Sequence, residues 1–113
     1  MSLVYKIISH TAWVDAQLAG LFKGAEIDLK DGYIHLSTAA QASETARRHF
    51  AGVDGLVLVA FEADSLSNLK WEPSRGGDLF PHVYGPLDPA LALEIKTLPL
   101  NAAGWPDPGI LAS

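Results

Sequence analysis

Apolar and polar positions fall into short runs whose period changes along the chain. Leu3 to Ile8 is β-branched and aromatic, with Lys6 marking one partly wet face, and reads as a strand. A helix is predicted next: Ser9 or Thr11 can cap it, and Gly20 can end it. Trp13, Ala16 and Ala19 fall on one side of that helix, which makes Trp13 its anchor in the core. Asp31-Gly32 marks a turn before a short strand from Tyr33 to Ser37. Thr38 and Gln41 have the spacing of a capping box, and Ala39, Ala42, Ala46, His49 and Phe50 follow on one helical face. Glu44 and Arg48 form an i,i+4 pair, and Gly52 is placed to stop the helix. Gly55 to Glu62 is apolar on both faces until its last residue, the pattern of a central strand.

The last third is punctuated differently, because all 7 prolines lie after residue 72. Asp64 to Asn68 reads as a turn, Leu69 to Glu72 as a short strand, and Ser74 to Asp78 as a flexible loop. Phe80 to Tyr84 is short and extended. Leu91 to Leu98 alternates Leu91, Leu93 and Ile95 against Glu94 and Lys96, which predicts a half-exposed antiparallel strand. The tail from Asn101, with Trp105, is expected to lie across the body. Strands outnumber helices and the helices come early. The expected fold is α+β, a small, mostly antiparallel sheet with two early helices packed on it, in a single domain over residues 1–113.

Composition removes several classes of function. With 49% hydrophobic and 19% charged residues, the chain can build a core and is neither a coiled coil nor disordered. It has no cysteine, which excludes disulfides, iron–sulfur clusters, zinc–cysteine sites and a cysteine nucleophile. A net charge of −5 with three arginines disfavours phosphate-driven nucleic-acid binding. The first ten residues lack the pattern of a signal peptide, and no apolar run approaches the roughly 20 residues of a membrane span. A soluble cytoplasmic protein, with no nucleic-acid or membrane partner, is expected.

Two segments carry candidate chemistry. In Asp31 to Thr38, strand alternation puts Tyr33, His35 and Ser37 on one face and Ile34 and Leu36 on the other. Ser37 and Thr38 stand where the strand hands over to a helix, and a helix N-terminus presents free N–H groups to an anion. Equally, Ser37 and Thr38 can simply cap the helix while His35 bonds locally. In Arg75 to Leu87, His82 and Tyr84 share a face beside a Gly-Gly loop, braced by Pro81 and Pro86. That describes a binding-site wall with a mobile lip, or a proline-braced edge strand with a buried histidine. Glu72 leads into the Arg75 loop and is a candidate catalytic carboxylate. The four histidines, His10, His35, His49 and His82, have no metal-ligand spacing, so no metal is expected. No nucleophile elbow or glycine-rich phosphate loop occurs.

On these pieces the chain resembles the family called domain of unknown function 952: Tyr5-Lys6-Ile7, the run Asp31 to Thr38 followed by Ala40, Gln41 and Thr45, and the run Phe80 to Leu87. That family is grouped by resemblance with the ADP-ribosyltransferase fold, a split antiparallel sheet clasping a dinucleotide. The resemblance implies NAD or a related nucleotide as a small-molecule ligand. His10 and His35 then contact ribose hydroxyls, Tyr33 or Tyr84 stacks on a ring, and Ser37 and Thr38 meet phosphate, with Arg75 and Lys6 the nearest cations. His82 or Glu72 serves the transfer chemistry. Glu72 matches the catalytic glutamate by order only, so a non-catalytic ligand- or peptide-binding module, with Arg75 as its carboxylate fork, is the alternative.

Overall fold

Both faces of the first strand, β1 (Leu3–Ser9), are buried, the mark of a strand with neighbours on either side. The computed structural model describes residues 2–113, apart from the side chain of Arg75. β1 pairs antiparallel along its whole length with β4 (Leu56–Glu62), Tyr5 lying opposite Ala60. β7 (Glu94–Leu98) closes one edge of this sheet and β3 (Ser37–Thr38) the other, giving the order β3-β1-β4-β7. A second antiparallel sheet has the order β2-β6-β5, from β2 (Ile34–His35), β6 (Leu79–Val83) and β5 (Leu69–Pro73).

The single strand expected from Tyr33 to Ser37 is thus broken in two. His35 pairs with His82 in one sheet and Ser37 with Tyr5 in the other. Leu36 makes the crossing: its N–H donates to the Pro81 carbonyl at 3.0 Å, and its side chain is buried. No one sheet offers partners to both halves, so the segment stitches two sheets together.

α1 (His10–Ala19) begins at Ser9, whose Oγ accepts the Ala12 N–H at 3.0 Å. It ends at Gly20, where φ is 74°, a conformation glycine adopts without cost. α3 (Ala39–His49) opens with the expected capping box: Thr38 Oγ1 accepts from Gln41 N–H, and Gln41 Oε1 accepts from Thr38 N–H. It closes at Phe50, two residues before Gly52. Replacing Thr38 by Ala is expected to cost about 1 kcal/mol. A urea melt checks this, and an unchanged midpoint contradicts the cap's contribution. Between α1 and β2 lies α2 (Glu26–Asp31), which the sequence reading missed; the Asp31-Gly32 turn is the C-terminal end of this helix.

The four-stranded sheet has a core on each face. On one, Val4, Ile8, Val57, Val59 and Phe61 pack with Trp13 and Ala16 of α1 and with Ile34, Leu36 and Val83 of the second sheet. On the other, Tyr5, Ile7, Leu56, Leu58, Ala60 and Leu98 pack against Ala46 of α3. The two helices therefore sit on opposite faces. Small residues in α3 permit the close approach: Ala42 and Ala46 are both 0% exposed. The tail does lie across the body, with Trp105 and Leu111 against the second core and Tyr5 Oη donating to the Ala112 carbonyl.

The last strand corrects the sequence reading. It begins at Glu94, Leu91 belongs to a short 3-10 turn (Pro89–Leu91), and Leu91, Leu93 and Ile95 are exposed while Leu98 alone of the set is buried. α1 packs on β1, β4 and that 3-10 turn, so its cover stops short of the β7 edge. No helix among the described residues is long and apolar enough to cross a membrane.

Candidate functional site

A cleft of about 630 Å³ opens between β1, the C-terminal half of α3 and the second sheet. Tyr5, Ile7, Leu36, Phe50 and Phe80 supply apolar lining, and His35, His82, Arg48, His49, Ser37 and Thr45 supply polar groups. The antiparallel register of β2 and β6 sets His35 directly opposite His82. Their rings stand edge to face, centroids 5.6 Å apart. Backbone pairing thus fixes the spacing of the two imidazoles.

Each imidazole is oriented by a carboxylate at Nδ1. His35 Nδ1 lies 2.6 Å from Asp28 Oδ1, and its Nε2 lies 3.0 Å from Asp31 Oδ2. A neutral ring can donate to one of these; only the protonated ring donates to both. His82 Nδ1 lies 2.8 Å from Glu72 Oε1. Donation there leaves Nε2 of a neutral His82 ring as the acceptor. Tyr33 backs both histidines, its ring 4.1 Å from His82 and 4.7 Å from His35 between centroids.

Asp28 is the hub beneath His35. It is 2% exposed and accepts from the ammonium of Lys6 (2.9 Å), the N–H of His35 (3.1 Å) and the N–H of Ala25 (2.8 Å). Burial pushes its carboxyl up, but the hydrogen bond from His35, the Lys6 ammonium and the Ala25 N–H outweigh this and hold it at about 2. Gly24 allows the arrangement: its φ is 124°, and a Cβ there would stand 2.9 Å from Asp28 Cβ. Lys6 is itself 5% exposed, and its third donor reaches the His35 carbonyl at 2.9 Å. Burial pushes the Lys6 ammonium below the usual lysine range, and Asp28 opposes that.

Glu72 anchors the other side. Its Oε1 also accepts from Tyr84 Oη at 2.7 Å. The hydrogen bonds from Tyr84 and then His82 hold Glu72 below the usual carboxylate range. In return the Glu72 carboxylate pushes the Tyr84 phenol up to about 12. The Lys70 ammonium lies 5.1 Å from the centroid of the Tyr84 ring.

The residues expected from the sequence are thus sorted by position. His35, His82 and Ser37 line the cleft, and Tyr33 packs behind the two histidines. Glu72 and Tyr84 stand outside the lining and reach it through His82. Ser37 Oγ lies 3.1 Å from Thr45 Oγ1. Thr38 spends both its hydroxyl and its N–H on the capping box, so that N–H is not offered to an anion. His10 is exposed beyond the end of β1 and does not line the cleft, because the lining from β1 comes from Tyr5 to Ile7. Lys6 lines the cleft, but it is neither wet nor at liberty to meet a pyrophosphate, being committed to Asp28. The side chain of Arg75 lies outside the described residues. Asp28 and Asp31 were missed; their signal was the i,i+4 spacing of Asp31 to His35, with Asp28 one turn earlier. Among the described residues no cluster of His, Asp and Glu is arranged to hold a metal ion.

The crystal structure of protein CC0527 from Caulobacter crescentus is similar at 48% identity with a TM-score of 0.93, over 96% of each chain. The solution structure of CC0527 matches at 48% identity and a TM-score of 0.84, over 94% of this chain and 92% of that one. No curated protein matches. The sequence profile of the family described as protein of unknown function (DUF952) matches residues 7–95, a span that takes in β2, β4 and β6 and the helices α1, α2 and α3. The chain belongs to that family.

Proposed function

We propose that the cleft binds NAD or a related nucleotide, with ADP-ribosyl transfer as the chemistry its histidines serve. The observation that carries this reading is the cross-strand pair of His35 and His82, both on the cleft, each oriented at Nδ1 by a carboxylate. In this reading a ribose hydroxyl donates to Nε2 of a neutral His82, and the Ser37 and Thr45 hydroxyls, which also line the cleft, add contacts. Tyr33 packs against the histidines rather than into the cleft, so the base or nicotinamide ring meets the apolar lining of Phe50, Phe80 and Tyr5 instead. With Lys6 engaged, phosphate falls to Arg48 and His49 at the end of α3. Transfer would develop positive charge on the ribose as the bond to nicotinamide breaks. The Glu72 carboxylate answers that charge through His82.

One observation favours binding without turnover. Glu72 lies behind His82, and the carboxylate in the cleft lining, Asp31, is paired with His35. The protein is then a nucleotide-binding module. Calorimetric titration with NAD, ADP-ribose, AMP and inorganic phosphate tests the shared premise. Saturable heat with NAD and ADP-ribose is expected, weakened about tenfold in Arg48→Ala, the loss of one charge-assisted contact. No heat with any nucleotide at millimolar concentration contradicts the proposal. Chromatographic detection of free nicotinamide then separates transferase from binder.

A further inference from the structure

Among the described residues no strand lies beside the outer edge of β7, and its charged residues, Glu94 and Lys96, alternate with exposed apolar ones. Leu93 is 60% and Ile95 44% exposed, with no bulge or proline between Glu94 and Leu98. Leu93, Ile95 and Thr97 point to one face, and Glu94 and Lys96, both exposed, to the other. The order Glu94-Ile95-Lys96 reads as its own complement when reversed. If a second β7 is laid antiparallel with Ile95 on the twofold axis, Glu94 faces Lys96 of the other copy, and Lys96 faces its Glu94. Leu93 then meets Thr97, and Ile95 meets Ile95. Opposite charges and apolar pairs directly across an antiparallel ladder are the favourable arrangement.

We propose that the protein associates with a second copy of itself through β7, joining two four-stranded sheets into one of eight strands. The flanking prolines, Pro89 and Pro99, bound the pairing segment on both sides. The contact is isologous, so each charge pair occurs twice and the assembly closes at two chains. An edge-to-edge contact of this length is small, which makes the dimer a weak, concentration-dependent one.

Sedimentation equilibrium from about 1 μM to about 1 mM reads the association directly. The parent mass is expected to rise from that of one chain toward that of two. Glu94→Lys sets Lys against Lys96 twice, and Lys96→Glu sets Glu against Glu94 twice, so each variant alone should remain monomeric. The double variant restores opposite charges and should dimerise again. Both positions are exposed, and circular dichroism confirms that the variants fold. A parent that stays monomeric throughout overturns the proposal. So does a dimer that persists unchanged in both single variants, since another surface must then hold it.

Discussion

Asp28→Asn is expected to destabilise the fold by about 3–5 kcal/mol, the usual cost of breaking a buried ion pair from one side. The variant keeps the shape of the side chain but leaves the Lys6 ammonium, 5% exposed, without its counter-charge. For a domain of this size the melting temperature should fall by more than about 10 °C. Pairing the change with Lys6→Met should recover a good part of the loss, because the buried ammonium that Asp28→Asn strands is then gone. The same carboxylate makes a signature in acid. Its pKa when folded, about 2, lies below its usual value of 3.8, so the unfolded chain binds the proton first as pH falls. Asp28 therefore contributes about 2 kcal/mol at neutral pH, lost progressively between about pH 4 and pH 2. Urea melts across that interval should show the loss in the parent and its absence in Asp28→Asn. Equal slopes in the two proteins would contradict the assignment.

His82→Ala is expected to abolish nucleotide binding and to cost about 1–3 kcal/mol of stability as well. A site built only for ligand would allow the first effect without the second. His82 also has a packing role: the residue is 3% exposed, its ring packs on Tyr33 and its Nδ1 lies 2.8 Å from Glu72, so its loss leaves a void and removes one of the two partners of that carboxylate. His35→Ala should behave differently. His35 is only partly buried, and its backbone N–H keeps its bond to Asp28 when the ring is gone. Thermal melts of both variants, with and without NAD, decide the matter. A His82→Ala protein that melts like the parent contradicts the packing role, and one that still responds to NAD contradicts the cleft.

What could be read along the chain was local. Ser9 and Gly20 bracket α1, the Thr38 and Gln41 pair opens α3, and the doubly apolar run before Glu62 is the interior strand it resembled. Alternation also placed the histidines: Ile34 and Leu36 enter the core while His35 turns to the cleft, and His82 comes opposite it. One failure is local: α2 is six residues long, too short for a helical period to declare itself, so only the turn at its end reads from the sequence. The others are tertiary. Asp28 escaped notice because a buried acid is legible only once its cation is known to be adjacent, and Lys6 lies 22 positions away. Lys6 itself read as a wet position because lysines are seldom buried. The leucines before Leu98 alternated as a half-buried strand should, but alternation says which residues share a face and not whether anything covers it.

The pairing of β1 with β4 sets the order of events on the ribosome. β1 leaves the exit tunnel before β4, with Lys6 its one charged residue among apolar neighbours, and its main ladder partner is a strand ending at Glu62. Until then α1 and α3, each specified by its own caps, are the elements able to cover it. The decisive closure spans half the chain, which places folding in the slower, non-local class and leaves a sticky strand exposed during synthesis. Nascent chains in which β4 has yet to emerge should accordingly depend on chaperones, and the released full-length chain should not.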